Sequence, residues 1–263
     1  VYTQRDNPAF AAEMAANTAD REAAFFLPYL RPGMQVLDVG SGPGSITLGL
    51  AGVVAPGVVF GIDIDPAQVE QARALAGERG VTNVRFQVAD LYRLPFPDGS
   101  FDAAFARTVV HGLREPVRAL AELRRVLRPG GVVGLKDLDQ GTHIMAPNTP
   151  LLEQWHALLL RVRQHNGGDP FTGRRHRGHL LAAGFARAEA TASVRSAGSL
   201  EETHRRAVYF KAQLLGIART GLEEGWIDQA AVDAMRGAID AWAERPDAFS
   251  VLTYCEAIGW VSD

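Results

Sequence analysis

The stretch Val36-Leu37-Asp38-Val39-Gly40-Ser41-Gly42-Pro43-Gly44 constrains this chain more than any other. A short apolar run carrying one acid breaks into three glycines, each separated from the next by a single residue. The apolar run reads as a buried strand. The glycines read as a turn in which no Cβ stands between the main chain and a ligand. A helical pattern over 45–54 follows directly. Strand, glycine turn and helix together form the opening unit of a parallel α/β sheet, which takes its ligand at the carboxyl ends of its strands.

The pattern then repeats. Strands are expected over 58–63, 84–89, 101–106 and 131–138, with helices over 66–79 and 115–127. Each strand is a near-continuous apolar run, as parallel strands buried on both faces require. Pro66 after Asp65 marks a helix start, and Pro129-Gly130-Gly131 marks a turn into a strand. Upstream, residues 9–30 read as an amphipathic helix stopped by Arg31-Pro32-Gly33. After residue 139 the alternation loosens. Helices are expected over 151–163 and 174–183, a strand over 185–194, and a strand-compatible tail over 249–260. Residues 199–244 are strongly helical, interrupted near Glu224-Gly225, and read as a cap inserted between the last two strands.

The glycine spacing, G-x-G-x-G, is one residue shorter than the G-x-G-x-x-G of dinucleotide binders. That longer turn aims a helix at a pyrophosphate. S-adenosylmethionine (SAM) has none, and its amino-acid part is expected to lie along Gly40, Ser41, Gly42 and Gly44, with Asp38 just before them. Asp63 stands 19 positions past Gly44 at a strand end, where a carboxylate accepts hydrogen bonds from ribose hydroxyls. Asp65 is the competing carboxylate. Ile64 is expected against the adenine ring, Asp90 at its amino group, and the Leu91 backbone N–H at the ring itself. The alternative is that these acids are helix caps only.

These segments resemble class I SAM-dependent methyltransferases of the ubiquinone/menaquinone-biosynthesis type. The likeness rests on LDVGSGPG at 37–44, GIDIDP at 61–66, ADLYRLPFPDGSFD at 89–102 and ELRRVLRPGG at 122–131. It implies an α/β, Rossmann-like sheet of seven strands, the last antiparallel, with SAM across the strands' carboxyl ends and S-adenosylhomocysteine (SAH) as product. It also implies Arg107 as a neighbour of the methionine portion of SAM. On this reading residues 1–263 form one methyltransferase domain. Residues 30–139 are its SAM-binding core, and 140–180 with 199–244 are its substrate-recognition and cap segments.

Acceptor-side candidates lie beyond the fourth and fifth strands. His111 is the candidate general base, because an imidazole titrates near neutrality. Relatives often carry a histidine one place later, so a structural or rim role is the alternative. Asp137 and Asp139 close the fifth strand. An Asp-x-Asp pair suits a divalent metal, but no third ligand follows in register, so polar wall residues and no metal are expected. His143 is expected to hydrogen-bond substrate, with simple exposure as the alternative. The basic run Gly173 to Arg177 is expected to start a helix, with Arg174 the residue offered to the cleft. Tyr209 is expected at substrate from a set of aromatics with Trp155, Phe210, Trp226, Trp242 and Trp260. Tyr2 and the first helix are expected to fold over the cofactor as a lid.

Composition narrows the remaining choices. A net charge of −3 and a pI near 6.2 supply no basic field for nucleic acid. The acceptor is therefore expected to be a small molecule, and an RNA methyltransferase is disfavoured. The single cysteine, Cys255, excludes an internal disulfide and suits a reducing cytoplasm. No apolar run is long enough to span a membrane, and Val1 to Asp6 lack the order of a secretory signal. A monomer or homodimer is expected. The competing functional reading is a SAM-binding protein of the same fold with a cyclase or regulatory role, since fold does not dictate chemistry.

Overall fold

A computed structural model describes residues 17–263. The lid expected from Tyr2, and residues 9–16 of the helix expected over 9–30, lie outside the described residues. The strands are β1 (Val36–Val39), β2 (Val59–Asp63), β3 (Val84–Val88), β4 (Phe101–Arg107), β5 (Leu127–Leu138), β6 (Ile144–Ala146), β7 (Arg187–Ala197) and β8 (Phe249–Trp260). The helices are α1 (Ala19–Glu22), α2 (Ser45–Val54), α3 (Pro66–Glu78), α4 (Pro116–Val126), α5 (Pro150–His165), α6 (His176–Ala182), α7 (Leu200–Glu223) and α8 (Gln229–Ala243).

The sheet runs β3-β2-β1-β4-β5-β8, with β7 on the far side of β8. Strands β3, β2, β1, β4 and β5 are mutually parallel, and β8 runs antiparallel to both β5 and β7. The short β6 is the one strand beyond the seven expected. It pairs with the start of β8 at Ile144↔Val251, while β5 pairs with the later part at Leu138↔Tyr254. β6 therefore resumes the line of β5 after the turn at Gln140–Thr142.

Strand β1 is buried at all four positions, because helices cover both faces of the sheet. One face packs Leu37, Ile62, Leu120 and Leu135, and the other packs Val36, Leu50, Val59 and Phe105. Helices α5, α7 and α8 build a separate core from Trp155, Phe210, Ile239 and Trp242. The break expected near Gly225 separates α7 from α8, and Gly225 takes φ +65 there. Helix α7 opens on a capping box between Ser199 and Glu202, worth about 1 kcal/mol.

The helix expected to run to residue 30 instead ends at Glu22. Phe26 turns inward to stack on Phe105 at 5.4 Å, and Pro28 enters a single 3₁₀ turn over Leu27–Tyr29. Burial of those rings overrides the helical periodicity. Among the described residues no helix is long and apolar enough to cross a membrane.

Candidate active site

The chain reverses direction along the sheet between β1 and β4, and the crevice beyond the carboxyl ends of these two strands is where such sheets take ligands. The glycine turn fills it. Gly40 sits at φ +65, and a Cβ there would come within 2.4 Å of the Val109 side chain that follows β4. Gly44 holds φ +85, and a Cβ would meet Ala72 at 2.9 Å and Phe86 at 3.0 Å. Only glycine satisfies both the backbone angle and the space. A small cavity opens here, lined by Asp38, Gly40, Ser41, Pro43, Ser45, Ile46 and Arg107. The Ser41 hydroxyl is buried in it with no hydrogen-bond partner.

Two carboxylates brace the turn. Asp38, at the end of β1, accepts from the Thr47 hydroxyl at 2.6 Å and so ties strand to helix across the turn. Burial pushes its carboxyl up to about 7, against the Thr47 hydrogen bond and assisted by the negative charge of Asp63. Asp63, at the end of β2, accepts from the Gly42 N–H at 3.0 Å through one oxygen and from the Asp65 N–H at 2.9 Å through the other. Its own pKa is raised by burial, which those backbone donors oppose. Asp65 instead caps α3, accepting from the Ala67 N–H at 3.0 Å. Asp65 is thus engaged at the start of its helix, while Asp63 faces the glycine turn.

Beyond Asp63 the surface turns apolar. Ile64 is 69% exposed and Val88, at the end of β3, 49% exposed, an arrangement suited to a flat ring. Val88 escaped the sequence reading because an apolar strand residue gives no sign that it is exposed. Asp90 is exposed and accepts from the Tyr92 N–H at 2.9 Å, while Leu91 is buried beside it. The residues present therefore fit an adenosine that carries a cationic amino-acid tail. In such a fit Asp63 would meet the diol, Ile64 and Val88 the base, and Asp38 and the bare turn the tail.

The acceptor-side candidates separate into two groups. His111 Nδ1 lies 2.7 Å from Asp137 Oδ1, and the His111 backbone N–H donates to the same oxygen at 3.3 Å. Asp137 has no exposed surface, which corrects its expected place on the cleft wall: it stands behind His111. His176 Nε2 lies 3.2 Å from the other Asp137 oxygen, at ion-pair distance but out of line for a hydrogen bond. Asp137 stays well below the usual carboxylate range although burial alone would raise it, because both imidazoles favour its ionised form. The His111 pKa is lowered, by burial first and then by the Arg163 cation, with Asp137 opposing. The ring of His111 keeps 19% of its surface exposed.

The other candidates stand apart from this pair. Asp139 is held by Arg174, whose Nη2 donates to it at 2.7 Å, and caps the next turn through the Gly141 N–H at 3.0 Å. Each is thus the other's partner. His143 lies among the rings of Trp155, His156 and Phe210, and burial takes its pKa down to about 3. The Tyr209 hydroxyl accepts from Gln213 Nε2 at 2.8 Å, and its ring packs on Leu138, Leu252 and Tyr254. Among the described residues no group of three or more His, Cys, Asp or Glu side chains is arranged to hold a metal.

Arg107 lines the small cavity beside the glycine turn, its Nε donates to Glu22 Oε2 at 2.6 Å, and Arg195 binds the other Glu22 oxygen. Lys136 pairs with Glu256 at 2.9 Å. Tyr254 lies under three cations, with Arg195 at 4.6 Å, Lys136 at 5.4 Å and Arg107 at 5.8 Å from its ring centre. None of Glu22, Arg195, Tyr254 or Glu256 stood out in the sequence.

A family model described as a methyltransferase domain matches residues 37–135. An uncharacterized methyltransferase of Schizosaccharomyces pombe is 34% identical over 197 residues, covering 70% of this chain and 69% of its own. The 27-O-demethylrifamycin SV methyltransferase of Amycolatopsis mediterranei is 37% identical over 133 residues, covering 50% of this chain and 48% of its own. Apart from the yeast protein, the chain spans about half the length of the curated relatives it matches. The solved structure of the YcgJ protein from Bacillus subtilis superposes with a TM-score of 0.61 at 23% identity, covering 92% of this chain and 98% of the other.

Proposed function

The chain belongs to the class I SAM-dependent methyltransferases, and on that footing we propose that it methylates a hydroxyl of a small-molecule acceptor, with His111 as general base. The observation that carries this reading is the 2.7 Å contact between His111 Nδ1 and the fully buried Asp137. An ionised carboxylate at Nδ1 fixes the tautomer with its proton there, which leaves Nε2 as the basic nitrogen. Bound SAM supplies a methyl group already activated by sulfonium. The residues of the chain then need only to align the acceptor, exclude water and take one proton. A depressed His111 pKa keeps the ring in its neutral, accepting form at physiological pH.

Segments 140–180 and 199–244 are assigned to acceptor recognition, with 30–139 as the cofactor core of a single domain, acting as a monomer or homodimer. The acidic balance supports a small molecule over nucleic acid, and the lone thiol Cys255 supports a cytoplasmic setting. The test is incubation with methyl-labelled SAM and a panel of phenols and alcohols, with matched amines and thiols. Label appearing in O-methyl ethers is expected, whereas label confined to nitrogen, sulfur or carbon sinks the proposal.

Two further outcomes concern the cofactor end. Asp63→Ala removes the carboxylate that both receives the ribose hydroxyls and holds Gly42. Hydrogen bonds to a charged group are worth about 1.5–3 kcal/mol, so SAH affinity should fall by roughly 10- to 150-fold in calorimetry, and an unchanged Kd removes Asp63 from the site. Asp38 gives a pH signature. Its carboxyl titrates at about 7 in the free protein, and a cationic ligand favours the ionised form. SAM affinity should therefore climb as pH rises toward 7, level off above it, and be accompanied below it by proton release. Calorimetry in buffers of different ionisation enthalpy reads that release directly.

A further inference from the structure

Most cations on the acceptor side have a carboxylate: Glu22 serves Arg107 and Arg195, Glu256 serves Lys136, and Asp139 serves Arg174. Arg163 has no such carboxylate among the described residues. It lies in the last turn of α5, where the chain enters the Gly167-Gly168 turn. Its carbonyl accepts from the Gly168 N–H at 3.0 Å, and the Asp169 N–H donates to the His111 carbonyl at 2.9 Å. The two segments touch so closely that a Cβ on Gly168 would lie 2.4 Å from the His111 carbonyl oxygen. Arg163 is thereby fixed next to the proposed base.

The Arg163 side chain forms no hydrogen bond or ion pair with any of the described residues, and its Nε is shut off from solvent. Asp137, Tyr209 and Tyr254 are the groups that favour its charge from a distance, and burial still takes its pKa below the ordinary arginine value. Asp137 is not available to pair with it, since its two oxygens face His111 and His176. Arg163 is half-buried, with Nε shielded and no counter-charge beside it; a polar group shielded in this way is costly, and its outer nitrogens remain open to a ligand that would complete the site.

We propose that Arg163 is the anion-recognition residue for the acceptor, so that the molecule methylated carries a carboxylate-type negative charge near the hydroxyl whose proton His111 takes. The planar fork of a guanidinium presents parallel donors to both oxygens of a carboxylate, which a lysine does not reproduce. The proposal deepens the reading of the His111–Asp137 pair as the acceptor end and rests on it.

The experiment uses the full chain loaded with SAH, titrated with 4-hydroxybenzoate and with its neutral counterpart 4-hydroxybenzamide, read by calorimetry and thermal shift. The unaltered protein should bind the carboxylate at least about tenfold more tightly than the amide. Arg163→Met should reduce that ratio to within about twofold, leave the Kd for SAH unchanged, and hold or raise Tm, because an apolar stem replaces an unpaired charge. Arg163→Lys should keep part of the preference.

Equal binding of the two probes by the unaltered protein overturns the proposal. So does a preference that survives in Arg163→Met, or a Tm that falls in that variant. Failure of the base reading looks different: His111→Ala would retain methyl transfer, while the carboxylate preference would still depend on Arg163.

Discussion

Replacing His111 by alanine should lower kcat for a hydroxyl acceptor by about 10²- to 10⁴-fold, the usual worth of a positioned general base, and leave SAH affinity within about twofold. The imidazole touches neither the glycine turn nor Asp63, so only proton removal is lost. Asp137→Asn should be nearly as damaging, because an amide no longer fixes the Nδ1–H tautomer and His176 loses the charge it faces. The double variant should lose little more than either single one, as expected of residues acting as a unit. The pH profile gives the sign independently. The base must be neutral, and burial with Arg163 lowers its pKa from 6.5, so activity should rise with pH along a limb below 6.5 and then stay flat. A kcat unmoved by His111→Ala would exclude base catalysis at this residue.

The second large effect concerns stability. Glu22 has no exposed surface and receives Arg107 at 2.6 Å and Arg195 through its other oxygen, so one carboxylate latches α1 to the ends of β4 and β7. Glu22→Ala takes the carboxylate away from two guanidinium groups. Breaking a buried pair in this way costs about 3–5 kcal/mol. For a chain of this size that corresponds to roughly 6–20 °C in Tm. Glu22→Gln should cost less, since an amide oxygen still accepts. Burial raises the Glu22 pKa, but the two arginines lower it further and set it below 4.5 overall. The latch therefore contributes fully above about pH 4.5 and is lost as pH falls through the depressed value. Urea titrations of the parent and both variants at pH 7 and pH 4 check both sign and size. Equal stability of Glu22→Ala and the parent would mean that the arginines find other partners.

These two sites differ in how far the sequence discloses them. The glycine turn, Asp38 and Asp63 are legible because their meaning is local: strand, turn and strand end lie within thirty residues of one another. The alternation of strand and helix is legible for the same reason, whereas the order of the strands in the sheet is not. His111 was identifiable as a residue type, but its pairing with Asp137 across 26 positions was not. The Glu22 latch spans 85 positions to Arg107 and 173 to Arg195, and no pattern within a window contains it. Arg163 falls on an amphipathic helix among other charges, where a solvated cation is the ordinary outcome. Only the fold shows that its Nε is shielded. The Asp139–Arg174 pair was equally out of reach, since 35 positions separate the two and only the turn after β5 brings them together.

Strand β8 has a consequence for how the chain comes off the ribosome. It lies between β5 and β7, yet every residue of both partners precedes it in sequence. A nascent chain that has emerged only through residue 248 holds β7 with no sheet neighbour, its eleven residues presenting open amide and carbonyl rows. Tyr254 and Glu256 arrive in the same late step, so Lys136 waits for its counter-charge until then. Synthesis thus carries an interval in which the cofactor half can fold while the acceptor half stays sticky, and holdase chaperones would act in that interval.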